Sequence, residues 1–471
     1  FEMVPLAAVL GIAEGQPEWE RRDAPCGVEK QKKRGDIIMN EIWLSGIGIL
    51  LALCGMTVLI FRRVSPIIVG PLAALLVTLL SGLPVLDSVT GVYVQGVGSF
   101  FVSYFMIFLL GNLLGSLYQI SGAAAKIGET VVRWFGAKNC MVACLISAAL
   151  LSYGGINSFV IIFAIYPIAL KLFEEADLPT YLLPGIVCGG MWTFAMTGPF
   201  SPQICNIVSM QSLGTPSYAG LIPGLAASVA MAVLIVWYMN RQAKKAKLRG
   251  EHFTPPEGGV RQHEGATPNA VVSFIPLTVV IALFNVTSIG IVACLLIGIV
   301  LSLLLFYRSI PWKEMLPTVN QAATTSVTVI INTATIVGFG AVAKITPFYA
   351  WAVQTLEAST ANPYLVAAVG SNLFACILGS SSGGLTLMYT SLKDILLSYA
   401  GQGYSLEFIH RLCSLGSGGL DSMPWNGSIV SVFGICHTTH KASYKYNFVT
   451  CAVIPVLCTF LIALPICIWL G

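Results

Sequence analysis

Four short stretches of this sequence concentrate the groups able to bind or move something polar. Two are rich in Gly and Ser: Ser152-Tyr153-Gly154-Gly155-Ile156-Asn157-Ser158 and Gly379-Ser380-Ser381-Ser382-Gly383-Gly384. Two are interrupted by proline: Thr197-Gly198-Pro199-Phe200-Ser201-Pro202-Gln203 and Asp421-Ser422-Met423-Pro424-Trp425-Asn426-Gly427-Ser428. Between them they hold one carboxylate, Asp421, and a surplus of neutral hydroxyls and amides. All four are flanked by apolar runs. A helix that stops inside such a run exposes free N–H groups at the start of the next half-helix, carrying about half a positive charge. Four such ends meeting near the middle of a bilayer would hold a carboxylate without any buried arginine. None is found in the central segments, so helix ends alone are expected to hold the anion.

The neutral groups at the breaks can donate to substrate oxygens: Asn157, Ser158, Thr197, Ser201, Ser381, Ser382, Thr386, Ser422, Asn426 and Ser428. With Tyr153, Gly154, Gly155 and Gly383 they form the candidate substrate site, and they suit a small hydroxy or polyhydroxy acid. A single Ser or Gly in a spanning helix more often serves close packing, as expected for Gly111-x-x-x-Gly115. Four breaks matched across two halves favour a binding site. Asp421 is the candidate for proton coupling. An ionisable residue inside a membrane segment is costly and marks a functional position, and burial favours the form that carries the proton. Its structural alternative is to cap the half-helix that follows.

Two catalytic patterns are declined. Gly379-Ser380-Ser381-Ser382-Gly383, with Asp421 and His440 behind it, has the residue order of a hydrolase nucleophile turn. That turn needs a strand before it and a soluble sheet around it, whereas these flanks are membrane helices. His437 and His440 lack a third ligand and lie beside Lys441, which fits a cytoplasmic loop better than a metal centre. No enzyme and no cofactor is expected, only a coupling ion: a proton, with sodium as the alternative.

The rest of the chain says where these stretches must sit. Of 471 residues, 56% are hydrophobic and 10% charged, against about 25% charged in a soluble domain. Mean hydropathy is +0.81. A water-soluble enzyme is excluded. At roughly 20 apolar residues per spanning helix, the length leaves room for about ten to twelve crossings. The runs are too long and unbroken for a β-barrel. The net charge of +4 comes from loop residues, as the positive-inside rule requires, so the expected partner is a lipid bilayer and not nucleic acid. Most of the thirteen cysteines lie within apolar runs as small hydrophobes, and no Cys-x-x-Cys pair occurs.

Residues 1–38 are polar, mixed in charge and unlike a signal peptide. Lys32-Lys33-Arg34-Gly35-Asp36 reads as a purine-rich ribosome-binding site translated ahead of Met39, so the expected start is Met39. A first membrane unit spans 39–240, a basic linker 241–269, and a second unit 270–471. Apolar runs fall at about 43–61, 65–82, 99–120, 139–151, 156–170, 181–210 and 218–239. After the linker they resume at about 270–286, 288–307, 325–343, 347–357, 363–379, 385–399, 405–418, 428–436 and 445–470. The pairs 139–151 with 156–170, and 363–379 with 385–399, are too short to cross, and they predict re-entrant hairpins whose tips face protein or a cavity. Each hairpin is followed by a Pro-broken helix, the arrangement that marks a transporter site.

With the linker in the cytoplasm, Arg62, Arg63, Lys126, Arg133, Lys138, Lys171, Arg308, Lys313, Lys441 and Lys445 all fall inside, and the two hairpins enter from opposite sides. Only Lys344, Lys393 and Arg411 break the pattern. The predicted fold is therefore an all-α polytopic membrane protein of two inverted repeats.

The stretch Gly418-Gly419-Leu420-Asp421-Ser422-Met423-Pro424-x-Asn426-Gly427, followed by Thr439-His440-Lys441-x-x-Tyr444-Lys445, resembles the gluconate permease family of proton symporters. The tips at Ser152–Ser158 and Ser380–Gly384 resemble it too, and the likeness covers roughly residues 43–470. It implies an inner-membrane permease of the ion transporter superfamily, a homodimer formed through a scaffold domain, and an elevator movement of a hairpin-bearing transport domain. Family substrates include gluconate, related sugar acids, D-serine and short hydroxy acids. Trp425 stands where the family pattern has a histidine after the proline, which points to a smaller or less hydroxylated acid than gluconate. The competing readings are a sodium-coupled carboxylate transporter and a membrane sensor that binds the acid without moving it.

Overall fold

The computed structural model describes residues 26–62, 64–136, 139–156, 158–256, 267–287, 289–357, 362–424 and 426–471. Among them every element is helical and no strand occurs. The first half runs α1 (Cys26–Phe61), α2 (Pro66–Leu80), α3 (Val94–Ile120), α4 (Ala123–Phe135), α5 (Cys140–Tyr153), α6 (Ser158–Glu175), α7 (Leu183–Met191), α8 (Phe194–Thr197), α9 (Ile204–Leu213) and α10 (Leu221–Leu248). The second runs α11 (Ala270–Val286), α12 (Ile291–Leu305), α13 (Trp312–Lys344), α14 (Pro347–Glu357), α15 (Pro363–Leu378), α16 (Ser381–Ser398), α17 (Leu406–Ser417), α18 (Gly427–Ile435), α19 (His440–Phe448), α20 (Ile454–Cys458) and α21 (Leu464–Leu470).

Among the described residues four helices are long and apolar enough to cross a membrane: Asp87–Ile120, Leu221–Leu248, Trp312–Lys344 and His440–Leu470. Other apolar helices are shorter, including Pro66–Leu80, Cys140–Tyr153, Ile204–Leu213 and Pro363–Cys376. Glycine and proline cut the apolar runs. The run predicted at 181–210 becomes three helices: α7 and α8 part at Trp192–Thr193, and α8 and α9 part at Pro199 and Pro202, neither of which can donate to the preceding turn.

The long helices α3 and α13 cross at small residues. A side chain at Gly96 would meet Ala341 Cβ at 2.7 Å, and one at Gly338 would meet Val97 Cγ2 at 2.6 Å, so the backbones approach as only glycine allows. Lower down, Asn112 Nδ2 donates to Ser326 Oγ at 2.8 Å in a buried inter-helix bond. The order of packing then repeats between the halves. α1 lies on α2 and α11 on α12; α2 lies on α13 and α12 on α3; α14 lies on α1 and α4 on α11. In each half the two short helices after this frame pack on each other, α5 on α6 and α15 on α16. Gly115 of α3 faces Val160 and Ile156, so the expected small-residue pair packs against the first of these turns.

Each short pair turns on a glycine in the left-handed region, Gly155 (φ 79°) and Gly379 (φ 55°), where a side chain would clash with the backbone. The arms of the second pair touch most closely at Gly384: a Cβ there would lie 2.4 Å from Ala375 Cα. Gly383, by contrast, has its nearest neighbour, Ser380 Oγ, at 3.3 Å.

The segment after α6, the segment after α10 and the last turn of α19 meet. His252 Nδ1 pairs with Asp177 Oδ2 at 2.8 Å, Phe253 N–H donates to Asp177 Oδ1 at 3.0 Å, and the Tyr181 ring stacks on Tyr446 at 5.3 Å. Arg249 Nε donates to Glu251 Oε1 at 2.8 Å, and this bond, with one from the Tyr181 hydroxyl, lowers the Glu251 carboxyl pKa to about 2. The start of the basic linker is thereby fixed beside Lys445.

Gly384→Val is expected to force the α15 and α16 arms apart and cost about 1–3 kcal/mol, read as a lower Tm in detergent. Gly383→Ala should leave the Tm nearly unchanged.

Candidate functional site

The first break begins where α8 ends at Thr197. Gly198 is extended, and the chain then turns at Pro199 and Phe200, which holds a φ of 65°. That conformation costs a bulky residue about 1–2 kcal/mol. It is held from both sides: Phe200 N–H donates to the Ser217 carbonyl at 3.0 Å, and Asn285 Nδ2 donates to the Phe200 carbonyl at 3.1 Å. Ser201 Oγ donates back to the Ala195 carbonyl at 2.8 Å, and Thr197 Oγ1 to the Thr193 carbonyl at 3.1 Å.

The tip between α5 and α6 docks on this break. Gln203 Nε2 donates to the Ser152 carbonyl at 2.5 Å, Tyr153 OH to the Pro199 carbonyl at 2.9 Å, and Trp192 Nε1 to Ser158 Oγ at 2.9 Å. Gly154 and Gly155 form the turn itself. Asn157 lies outside the described residues.

The tip between α15 and α16 reaches the same place from the other half. Ser380 caps α16, accepting from Gly383 N–H at 3.3 Å. The buried Ser381 Oγ donates to Met196 Sδ, one residue before the first break, at 3.7 Å. Its hydroxyl also faces the Asp421 carboxyl. Ser382 is half-buried at the tip, and its carbonyl accepts from Thr386 Oγ1 at 2.7 Å.

At the second break Asp421 is buried, and Ser422 Oγ donates to its Oδ1 at 3.0 Å. The helix after the break is capped by Asn426, whose Oδ1 accepts from Ser428 N–H at 2.7 Å and Ile429 N–H at 3.4 Å. The capping alternative for Asp421 is thus overturned: an amide five residues later does that work, because only Asn426 precedes the first helical turn. Asn426 Nδ2 closes the loop by donating to the Asp421 carbonyl at 3.0 Å, and Tyr444 OH donates to the Ser422 carbonyl at 3.1 Å. Ser428 is half-buried in the first turn of α18; Trp425 lies outside the described residues. The two breaks adjoin, since a side chain at Gly418 would lie 2.5 Å from Thr197 Cγ2. The first break therefore touches both tips and the segment leading into the second.

One expectation fails. A buried arginine is present, and it belongs to this site. Arg411 on α17 is 0% exposed. Its Nη1 donates to the Thr197 carbonyl at 2.5 Å, its Nε to the Ala219 carbonyl at 2.8 Å, and its Nη2 to Asn206 Oδ1 at 3.2 Å and the Ser217 carbonyl at 3.3 Å. Breaking a helix frees carbonyls at the end of the first half, and a planar fork of donors satisfies several at once. Asn206 Nδ2 donates to the Ser201 and Ser217 carbonyls, which fixes its Oδ1 as an acceptor. His410 Nε2, at 2.8 Å from that Oδ1, therefore carries a hydrogen. Arg411 and Asp421 are the only buried arginine, lysine or carboxylate side chains among the described residues, and neither forms a salt bridge there.

Sequence reasoning missed Arg411, His410, Asn206, Asn285, Gln203 and Tyr444. A signal existed for Arg411, which violates the charge pattern of the loops. The others are polar residues inside helices with nothing local to single them out. No group of three or more metal-ligating side chains occurs among the described residues.

Arg411→Met is expected to take from the Thr197 and Ala219 carbonyls their guanidinium donors at roughly 1–3 kcal/mol each and to remove most folded protein on size-exclusion chromatography. Arg411→Lys should recover part of it. Asn426→Ala should cost about 1 kcal/mol as a lost cap, read as a modest fall in Tm.

The pattern that defines GntP family permease matches residues 44–383. The chain is 29% identical over 450 residues to the uncharacterized transporter YxjC of Bacillus subtilis (strain 168), covering 85% of this chain and 94% of that one. It is 26% identical over 215 residues to an uncharacterized permease of Haemophilus influenzae, covering 45% and 43%. Among solved structures, the Alcanivorax borkumensis YdaH transporter superposes with a TM-score of 0.56 at 13% identity, over 82% of this chain and 89% of that one. That likeness concerns the fold alone.

Proposed function

The chain belongs to the GntP permease family, multi-pass membrane transporters and not enzymes, and from that premise we propose that it imports a small hydroxy-carboxylate by proton symport. The observation that carries this reading is the convergence of both tips and both breaks around Asp421 and Arg411. Hydroxyls and half-helix N-termini there can take the oxygens of an acid, with Tyr153, Gly154, Gly155, Asn157, Ser158, Thr197, Ser201, Ser381, Ser382, Gly383, Thr386, Ser422, Asn426 and Ser428 as the substrate-binding set.

Charge counting supports a proton as the coupling ion. When the site is empty, Arg411 and an ionised Asp421 sum to zero. When a monoanion is bound and Asp421 is protonated, the sum is zero again. With the anion alone or the proton alone, one net charge must cross hydrocarbon, which costs several kcal/mol. Only the empty and the doubly loaded forms cross readily, and that is one-to-one symport.

The two halves are read as inverted repeats with re-entrant tips, moving as an elevator against a scaffold formed around α3 and α13. The exchange of partners between halves, α2 on α13 and α12 on α3, supports the pseudo-two-fold relation. The meeting of the chain after α6, the chain after α10 and α19 supports the sidedness assigned from charge, with the linker in the cytoplasm. The cytoplasmic membrane as location and a homodimer as the working form complete the proposal, as the family resemblance implies.

A thermal-shift screen of sugar acids, hydroxy acids and D-amino acids identifies the acid, and uptake of that labelled compound into proteoliposomes follows. A pH gradient should drive accumulation without sodium, and an imposed membrane potential should change the rate little. Asp421→Asn should keep labelled exchange but lose gradient-driven accumulation, because the empty form now carries the uncompensated charge of Arg411. Full accumulation by this variant removes Asp421 from coupling. Uptake that requires sodium replaces the proton, and binding without exchange favours a sensor.

A further inference from the structure

Beside α16 lies a cleft of about 200 Å³. One wall is a stripe of Thr386, Thr390 and Lys393, spaced to share a helix face. The facing wall carries Ser99 and Ser103 of α3, and Ser212 of α9 closes a third side. Phe100, Tyr104, Val208, Val337 and Tyr389 complete the lining, so the cleft is mixed in character. Polar residues at membrane depth face a water-filled space or one another, and the hydroxyls and Lys393 mark where water can enter. The hydroxyls of Ser99, Ser103 and Thr386 are already satisfied by their own helices, donating to Gly96, Ser99 and Ser382 carbonyls at 2.9, 2.8 and 2.7 Å. They wet the wall without demanding a partner across it.

Lys393 sets the sign of the cleft. It is exposed, and among the described residues it forms no salt bridge. The neighbouring Asp394 acts on Tyr349 of α14 and is absent from the lining. Lys393 was also an exception to the charge pattern of the loops, and a basic residue retained on the wrong side needs a reason. The cleft runs from Lys393 to Thr386, one turn from Ser382 at the tip. Each wall belongs to the outer half of its helix if the linker is cytoplasmic: the start of α3, the end of α9, the end of α13 at Val337 and the end of α16.

We propose that this cleft is the outward-facing vestibule through which small carboxylates reach the site, with Lys393 as the cation that recruits them. The inference rests on the transport reading for its ligand class and its sidedness, and its test needs neither a substrate nor a gradient.

Thr390→Cys in the full chain, in right-side-out vesicles, is treated with membrane-impermeant thiosulfonates, one anionic and one cationic; the unsubstituted chain gives the background. Reaction from the outer face is expected, and adding Lys393→Gln should cut the anionic-to-cationic rate ratio by about threefold or more at low salt. Lys393→Arg should keep the ratio. Ser103→Cys, on the opposite wall, gives the same comparison should Thr390→Cys fail to fold. Cysteines at both walls that do not react from outside, or a ratio indifferent to Lys393, overturn the vestibule. Those results leave the transport reading intact, which stands or falls on accumulation by the wild type and by Asp421→Asn.

Discussion

In hydrocarbon a backbone N–H or C=O without a partner costs several kcal/mol, and every irregular feature of this molecule is shaped by that cost. A chain that breaks its helices at Thr197 and Asp421 must supply partners for the groups it frees. Here they come from side chains: the guanidinium of Arg411 on the carbonyls of the first break, and the amide of Asn426 on the N–H groups and carbonyl of the second. Ser380 does the same for the start of α16, and Asn285 for the carbonyl of the strained Phe200. These bonds are costly to remove because each replaces water that the bilayer does not offer.

The same bonds occupy much of the polar surface at the breaks. Tyr153, Thr197 and Ser201, all in the proposed substrate set, already donate to backbone carbonyls there. Asn206 and Arg411 spend their polar atoms on backbone, and Asn426 likewise spends its amide on cap and loop. Ser381 stands between Met196 and Asp421 and keeps lone pairs to spare. The fold surrounds the buried Arg411 with carbonyl oxygens and sets the buried Asp421 against the hydroxyls of Ser422 and Ser381.

Close approach of backbones is the second constraint. Gly96 and Gly338 let α3 and α13 cross, Gly384 lets the arms of one short pair touch, and Gly418 lets the two breaks adjoin. These contacts draw residues from distant parts of the chain into one place. They also leave the frame around α3 and α13 distinct from the helices that carry the breaks, with the cleft between the two.

Residue types and spacing were enough to read the solvent of this protein, its helical class, and the positions of its four interruptions. Those depend on local facts: apolar runs too long for water, prolines at 199, 202 and 424 that cannot donate, and glycines at 155 and 379 that can turn the chain. The sequence also identified Asp421, because one carboxylate in an apolar setting is conspicuous without any knowledge of its neighbours. What it did not disclose was partnership. That Arg411 reaches back to Thr197, that Asn285 holds the Phe200 carbonyl, and that Gly384 and not Gly383 marks the close contact are facts about groups brought together across the fold. Hydrogen bonds to backbone carbonyls leave no trace in residue spacing, since the acceptor is the same at every position. Packing across the fold settles which carbonyls lie within reach, and that is why Arg411 occupies a position that charge pattern alone would forbid.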